Sequence, residues 1–328
     1  APPYYEMSNY FGPAPWYVGL LHAFQGEDHL HGDLAGVSAM LSRLADGKAG
    51  GLAGLYHAPE TTGHNQLYFQ YTAQLSWNPK MTVEAFLDHH VRRRYGNAGY
   101  ETMRAAMEDL VAALHGPKRP YNDLPLYKKL GEPRVAHPWP LFEGPICHPA
   151  PLHTGNDPER FRTLLRGLDT ALSCRGAQQE NALYLNDVTD WTKELLALVC
   201  NWAALDAWEG FRAGDVRRVH IARNTARWAL YGIESLLARR PAFHLQPQLE
   251  RVMAVPGVNP HLDWYIKRHC INWLYATNDV YEQMHWFYRP RFELYLDTLL
   301  ERARAGETEF AWADIAGEAK AIEERWLN

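Results

Sequence analysis

Nine of the 21 prolines in this 328-residue chain fall within one run, GPKRPYNDLPLYKKLGEPRVAHPWPLFEGPICHPAP, over residues 116–151. Proline has no amide hydrogen to donate and is excluded from helix interiors, so a stretch this rich in it reads as an extended connection wrapped over a surface. It separates two parts of different character. We expect a first part over residues 1–116, the Pro-rich connection over 117–156 and a second part over 157–328.

In the first part, residues 15–24 (PWYVGLLHAF) and 51–57 (GLAGLYH) are short apolar runs bounded by Gly or Pro, without a clean two-residue alternation. That is the pattern of strands buried on both faces. Between them, residues 33–47 carry a helical stripe of Leu34, Val37, Met40, Leu41 and Leu44, with Asp33 as the cap and Gly47 at the end, which completes a strand–helix–strand unit. Helices are expected over Tyr68–Leu75, over Thr82–Tyr95 with a stop at Gly96, and from about Ala98 to His115. Such a sequence fits one end of a (β/α) barrel, where polar groups at the carboxyl ends of strands face the active site.

The second part is helical throughout. Asp157 and Pro158 form a cap and a first helical position, and amphipathic segments follow at about 177–212, 215–239, 259–303 and 312–326. The expected fold class is therefore α/β plus all-α: one end of a (β/α)8 barrel, which the resemblance given below implies is its C-terminal part, followed by a large α-helical bundle domain. A whole barrel takes about 250 residues. Only about two of its units fit before the connection, so a missing N-terminal barrel segment or a second chain is expected to supply the rest.

A formal charge of −5 and a pI near 6.4, with no basic block, leave no footing for nucleic acid or a membrane surface as partner. Nor does any apolar run reach the roughly 18 residues that a membrane helix needs. Cys147, Cys174, Cys200 and Cys270 lie far apart, without metal or disulfide spacing, and the last three read as small buried hydrophobes. GxSxG, Walker and GxGxxG patterns are absent. Twelve tryptophans and eighteen tyrosines would serve either helix packing or stacking on sugar rings.

The polar groups at the two strand ends are His22 with Gln25, and His57 with Glu60. Glu60 follows an apolar strand and Pro59 and precedes the turn-prone TTGHN, so it is a carboxylate held by a strand, suited to a nucleophile or general acid. The stretch QGEDHLHG (25–32) adds Glu27, Asp28, His29 and His31. Its HxH pair could serve as metal ligands, but no third ligand has a recognisable spacing, and a loop that hydrogen-bonds substrate is the other reading. No metal is expected. His89 and His90 read as part of a solvated or interdomain helix face.

Taken together, PWYVGLLHAFQGEDHLHG (15–32), GLAGLYHAPE (51–60), QLYFQYTAQLSWNP (66–79) and RRYG (93–96) resemble the late barrel segment of glycoside hydrolase family 89, the α-N-acetylglucosaminidases. The helical part is similar to that family in YLNDVTDWTKELL (184–196), LLARRPAF (236–243) and YATNDVYEQMHWFYRPRFELYL (275–296). The resemblance implies a retaining glycosidase that removes a terminal N-acetylhexosamine, most simply α-linked N-acetylglucosamine, from a glycan. Glu60 of Ala58-Pro59-Glu60 would be the nucleophile, with His22, Gln25, His57 and Tyr275 binding substrate. Trp273 and Trp286 join Tyr275 as candidates for a lid from the helical part, with core packing the alternative for the tryptophans. The family's acid/base glutamate belongs to an earlier barrel segment, so within this chain Glu27 or Asp28 would be the substitute. No cofactor is implied, and secretion or a periplasmic location is what the family suggests. Ala23, Gln25 and Val18 stand where the family usually has asparagine, glycine and a pocket tryptophan, which bears on the sugar accepted. A related glycosidase of other specificity, a β-N-acetylglucosaminidase or α-glucuronidase, is one alternative. A non-catalytic carbohydrate-binding remnant is another.

Overall fold

The structure, a computed structural model, describes residues 7–22, 29–48, 50–59, 65–116, 125–129, 157–270 and 279–328. In chain order its main elements are β1 (Trp16–His22), α1 (Leu34–Arg43), β2 (Leu52–Pro59), α2 (Gln66–Leu75), α3 (Val83–Leu114), α4 (Leu126–Lys129) and α5 (Pro158–Ser173). They continue with α6 (Ala182–Arg212), α7 (Val216–Ala238), α8 (Gln246–Met253), α9 (Leu262–Cys270), α10 (Arg289–Arg304) and α11 (Ala316–Leu327). Among the described residues no helix is long and apolar enough to cross a membrane. The chain packs as two compact units, Ala1–Tyr121 with Arg162–Leu185, and Asn122–Phe161 with Asn186–Asn328.

In the first unit β1 and β2 pair in parallel, with Val18 opposite Leu55 and His22 opposite Pro59. The intervening α1 begins where the sequence places it, since Asp33 Oδ1 accepts a hydrogen bond from the Gly36 amide at 2.8 Å. Burial of the strands differs from the sequence reading. Trp16, Val18 and His22 are buried, whereas Tyr17, Leu21 and Tyr56 are 66%, 52% and 60% exposed. One face of the sheet packs and the other stays open to water, because strands alternate their side chains between faces whatever their composition.

Helix α3 contains the two segments expected on either side of Gly96, which takes φ 67° and ψ −178°, a conformation that suits glycine. Thr82 caps its start by accepting from the Ala85 amide at 3.1 Å. A break in a helix leaves carbonyls without partners. Two of these, of Arg94 and Tyr95, accept hydrogen bonds from the side-chain amides of Asn181 and Gln178, each at 2.9 Å. His90 is not on a solvated face: it is buried beside Phe86, with Nδ1 3.0 Å from Gln70 Oε1 of α2. Its i, i+4 spacing from Phe86 puts both on the packed stripe.

The core of the second unit joins α6, α7 and α10, whose facing sides are lined by small residues such as Ala203, Ala207, Ala222 and Ala226 with Phe292 and Leu296. Gly232 of α7 is equally constrained, since a Cβ there would lie 2.9 Å from Leu196 Cδ1. The single helix expected over 259–303 is interrupted. Asp279 and Val280 lie outside any helix, and α10 is preceded by a wide π turn over Met284–Tyr288. Pro290 has no amide hydrogen for the ordinary ladder, so the preceding turn is where the ladder can widen. The described piece of the Pro-rich stretch is the helical turn α4, not an extended strand, and its Tyr127 and Lys128 are buried.

What holds α4 is a buried ion cluster. Asp279 Oδ1 lies 2.8 Å from Lys128 Nζ and accepts a hydrogen bond from the Tyr127 hydroxyl at 3.2 Å. Its Oδ2 lies 2.8 Å from Lys193 Nζ of α6, and Lys193 also meets Asp190 at 3.2 Å. Both lysines and Asp279 are fully buried. The paired ammonium groups hold the Asp279 carboxyl well below the usual range, although burial alone would push it up.

Candidate active site

The carboxyl ends of β1 and β2 coincide at His22 and Pro59, which are register partners. Glu60 is the next residue in the sequence. Glu60, Gln25, Glu27, Asp28, Trp273 and Tyr275 lie outside the described residues, so of the expected site residues the structure describes His22 and His57. Both belong to the first unit. Trp286 of the second unit is about half exposed.

His22 closes β1 with its ring in a column of aromatic rings. Tyr68 of α2 stacks on one side at 4.0 Å between centroids and His31 on the other at 4.1 Å, within 16° and 12° of parallel. His29 continues the column at 4.4 Å from His31, and Phe69 meets His22 edge-on at 5.1 Å. Gly32, with φ +117°, makes room for the Tyr68 ring, which an added Cβ would approach to 2.4 Å. The column is fed by α2 from one side and by the segment before α1 from the other.

Asn65 ties the column together. Its Nδ2 lies 2.6 Å from His22 Nε2 and donates to the His31 carbonyl at 2.7 Å. Asn65 precedes α2, is buried, and takes φ 60° and ψ 38°, a left-handed conformation that Asn adopts more readily than most residues. His115, at the end of α3, is buried as well, and its carbonyl accepts the Leu34 amide at 3.4 Å.

Burial is the main force on the charges here. It lowers His22 to about 2, with His31, His115 and His57 reinforcing the shift. His57 is half-buried and lowered by desolvation, against which a hydrogen bond to the Thr72 backbone acts. Tyr68 is pushed up to about 12 by burial and by Asp33. His22 and His57 are therefore neutral imidazoles and Tyr68 a neutral phenol at neutral pH, groups that donate and accept hydrogen bonds but carry no charge. Among the described residues no three His, Cys, Asp or Glu side chains are placed to hold a metal ion. His29 and His31 instead stack on each other.

Sequence reasoning missed Asn65, Tyr68 and His115. The first had a signal, an Asn directly before an apolar helical run. The other two had none, since a Tyr and a His on helices look the same whether they support a strand end or a core.

No family model matches the sequence, and no curated relative does. Solved structures do resemble it along its whole length. A family 89 glycoside hydrolase from Clostridium perfringens in complex with PUGNAc superposes with a TM-score of 0.80 at 14% identity. A form of the enzyme with two glutamates replaced by glutamine, bound to its substrate GlcNAc-alpha-1,4-galactose, gives 0.79 at 14%, and a complex with 2-acetamido-1,2-dideoxynojirmycin gives 0.75 at 13%. Each match covers 100% of this chain and 37% of the other. Likeness at this identity establishes a shared fold, carried by a chain that spans just over a third of those structures.

Proposed function

We propose that this chain carries the nucleophile half of a retaining glycoside hydrolase that releases a terminal N-acetylhexosamine, with α-linked N-acetylglucosamine as the first choice of substrate. The observation that carries the reading is the full-length fold likeness to family 89 glycosidases bound to GlcNAc-containing or related ligands. It gains support from the chain's own residues, because Ala58 and Pro59 end a parallel strand beside His22 and Glu60 follows them in the sequence.

In this reading the Glu60 carboxylate attacks the anomeric carbon and a second carboxyl group protonates the leaving oxygen. That group then acts as base to activate water, the two carboxyls standing about 5–5.5 Å apart. Gln25, His57 and Tyr275 would hydrogen-bond the sugar, and His22, neutral and clamped, would orient Glu60 or donate to a hydroxyl. Glu27 or Asp28 would be the acid/base if this chain supplies it. The open sheet face of Tyr17, Leu21 and Tyr56 favours the other source, further barrel strands from a preceding segment or a second chain.

The test is hydrolysis of a panel of dinitrophenyl glycosides, α-GlcNAc included, whose leaving group departs without protonation and so does not depend on a second carboxyl group from another segment, by the chain and by Glu60→Gln, with NMR identification of the first-released anomer. Turnover with retention, lost at least a thousandfold in the variant, is the expected result. A folded chain that binds GlcNAc but turns nothing over, unchanged by Glu60→Gln, would mark a non-catalytic carbohydrate binder and sink the reading.

A further inference from the structure

Asn65 deserves a role that the strand-end residues alone do not provide. The His31 carbonyl oxygen can only accept, so the Asn65 atom 2.7 Å from it must be the amide nitrogen. That fixes the orientation of the side chain. The same nitrogen then aims its second hydrogen at His22 Nε2, 2.6 Å away. An imidazole nitrogen that accepts a hydrogen bond carries no proton, so the proton of the neutral ring sits on Nδ1.

We propose that Asn65 is a positioning residue that locks His22 as the Nδ1–H tautomer and so leaves Nδ1–H as the ring's one donor for the reaction at the β1–β2 ends. The orientation of the ring is set independently. Tyr68 and His31 sandwich it and Phe69 abuts its edge, so the ring cannot turn over to exchange its two nitrogens. The backbone supports the same conclusion. Asn65 occupies the left-handed region at the start of α2, a conformation that most non-glycine residues avoid, and in doing so it brings one amide group to both His22 and His31. An N-cap acting only on its helix would accept from a helix amide, and the Asn65 side chain makes no such capping bond.

The catalytic part of this proposal rests on the glycosidase reading, but the tautomer does not, and the experiment separates them. The ring nitrogens of His22 are to be followed by 15N–1H correlation in the wild-type chain, in Asn65→Gly and in Asn65→Asp. Asn65→Gly keeps the left-handed backbone and deletes the amide. Asn65→Asp keeps the shape and replaces the donor by an acceptor. Wild type should carry its proton on Nδ1 across the neutral range, Asn65→Gly should release it toward Nε2, the form favoured by free imidazole, and Asn65→Asp should hold it on Nε2. A wild-type proton on Nε2, or an Asn65→Gly ring still in the Nδ1–H form, overturns the lock. On the best aryl glycoside both variants should lose about 10–100-fold in kcat with KM changed little, the scale typical of residues that orient a functional histidine. Full activity in variants that have lost the tautomer overturns the positioning role. No turnover by wild type with the stated tautomer intact would defeat the glycosidase reading and leave the lock standing.

Discussion

Replacing Asp279 by asparagine should be among the most destabilising single changes available to this chain, and the structure sets both its size and its ceiling. The carboxylate is shared by two ammonium groups at 2.8 Å each, and all three groups are fully buried. Breaking one buried ion pair costs about 3–5 kcal/mol, because the remaining charge is left without a counterion. Here one substitution removes a counterion shared by two charges, of which Lys193 keeps Asp190 at 3.2 Å. The ceiling comes from deprotonation. A stranded lysine can release its proton, which from an ordinary value of about 10.4 costs about 4 kcal/mol at roughly pH 7.5. We therefore expect a loss of about 4–6 kcal/mol. Urea unfolding followed by tryptophan fluorescence would measure it, with the slope m checked for constancy. Two controls follow from the same reasoning. The deficit should shrink as the pH is raised toward 10, and Lys128→Met combined with Asp279→Asn should be less damaging than the two single losses added. A loss below about 1 kcal/mol, with m unchanged and no pH dependence, would refute the idea that these lysines depend on Asp279.

Lowering the pH should weaken the first unit through its histidines. His22 falls to about 2 and His90 to about 4 in the folded chain, so each is neutral when folded and protonated when unfolded below its ordinary 6.5. The unfolded state then binds more protons, stability declines as pH falls through 6.5, and at about pH 4.5 each contributes a loss of about 2.5 kcal/mol. Asp279, held low when folded, adds no slope above its ordinary value of 3.8, so a flat stability curve between about pH 7.5 and 4.5 would count against the histidines. Gly32→Ala should cost about 3 kcal/mol, from a positive φ and from a Cβ driven to 2.4 Å from a Tyr68 ring that His22 prevents from moving away. A shift in the urea midpoint of less than the equivalent of 1 kcal/mol would mean that the column yields to the extra methyl group.

Much of the framework is legible in the residues. Asp33, Thr82, Asp157 and Asp215 announce helix starts because a short oxygen-bearing side chain can reach the first free amides, and each accepts from one in the structure. Gly96 announces a break for the same kind of local reason. The parallel strands around α1 follow from length and apolarity. The open face of that sheet was not legible, because composition reports that Tyr17 and Leu21 are apolar and not whether anything covers them. The Lys128–Asp279–Lys193 cluster was equally hidden, since nothing in a sequence marks which lysines will be buried together. At the site, His22 and His57 could be found from strand ends, while the Asn65 clamp depends on a left-handed turn that brings together residues from three segments.

The buried carboxylate also has a consequence in time. Tyr127 and Asp279 meet across 152 residues of chain. Closing a loop of that length costs roughly 4 kcal/mol of chain entropy before any contact is made. Helices α6 and α7, neighbours in sequence, can pair long before such a closure, so the docking of α4 belongs to the last steps of folding. Interactions formed late are absent from the transition state, and their loss speeds unfolding while leaving the folding rate nearly unchanged. The cluster thus governs how long the native state lasts once formed, and has little say in how quickly it is reached.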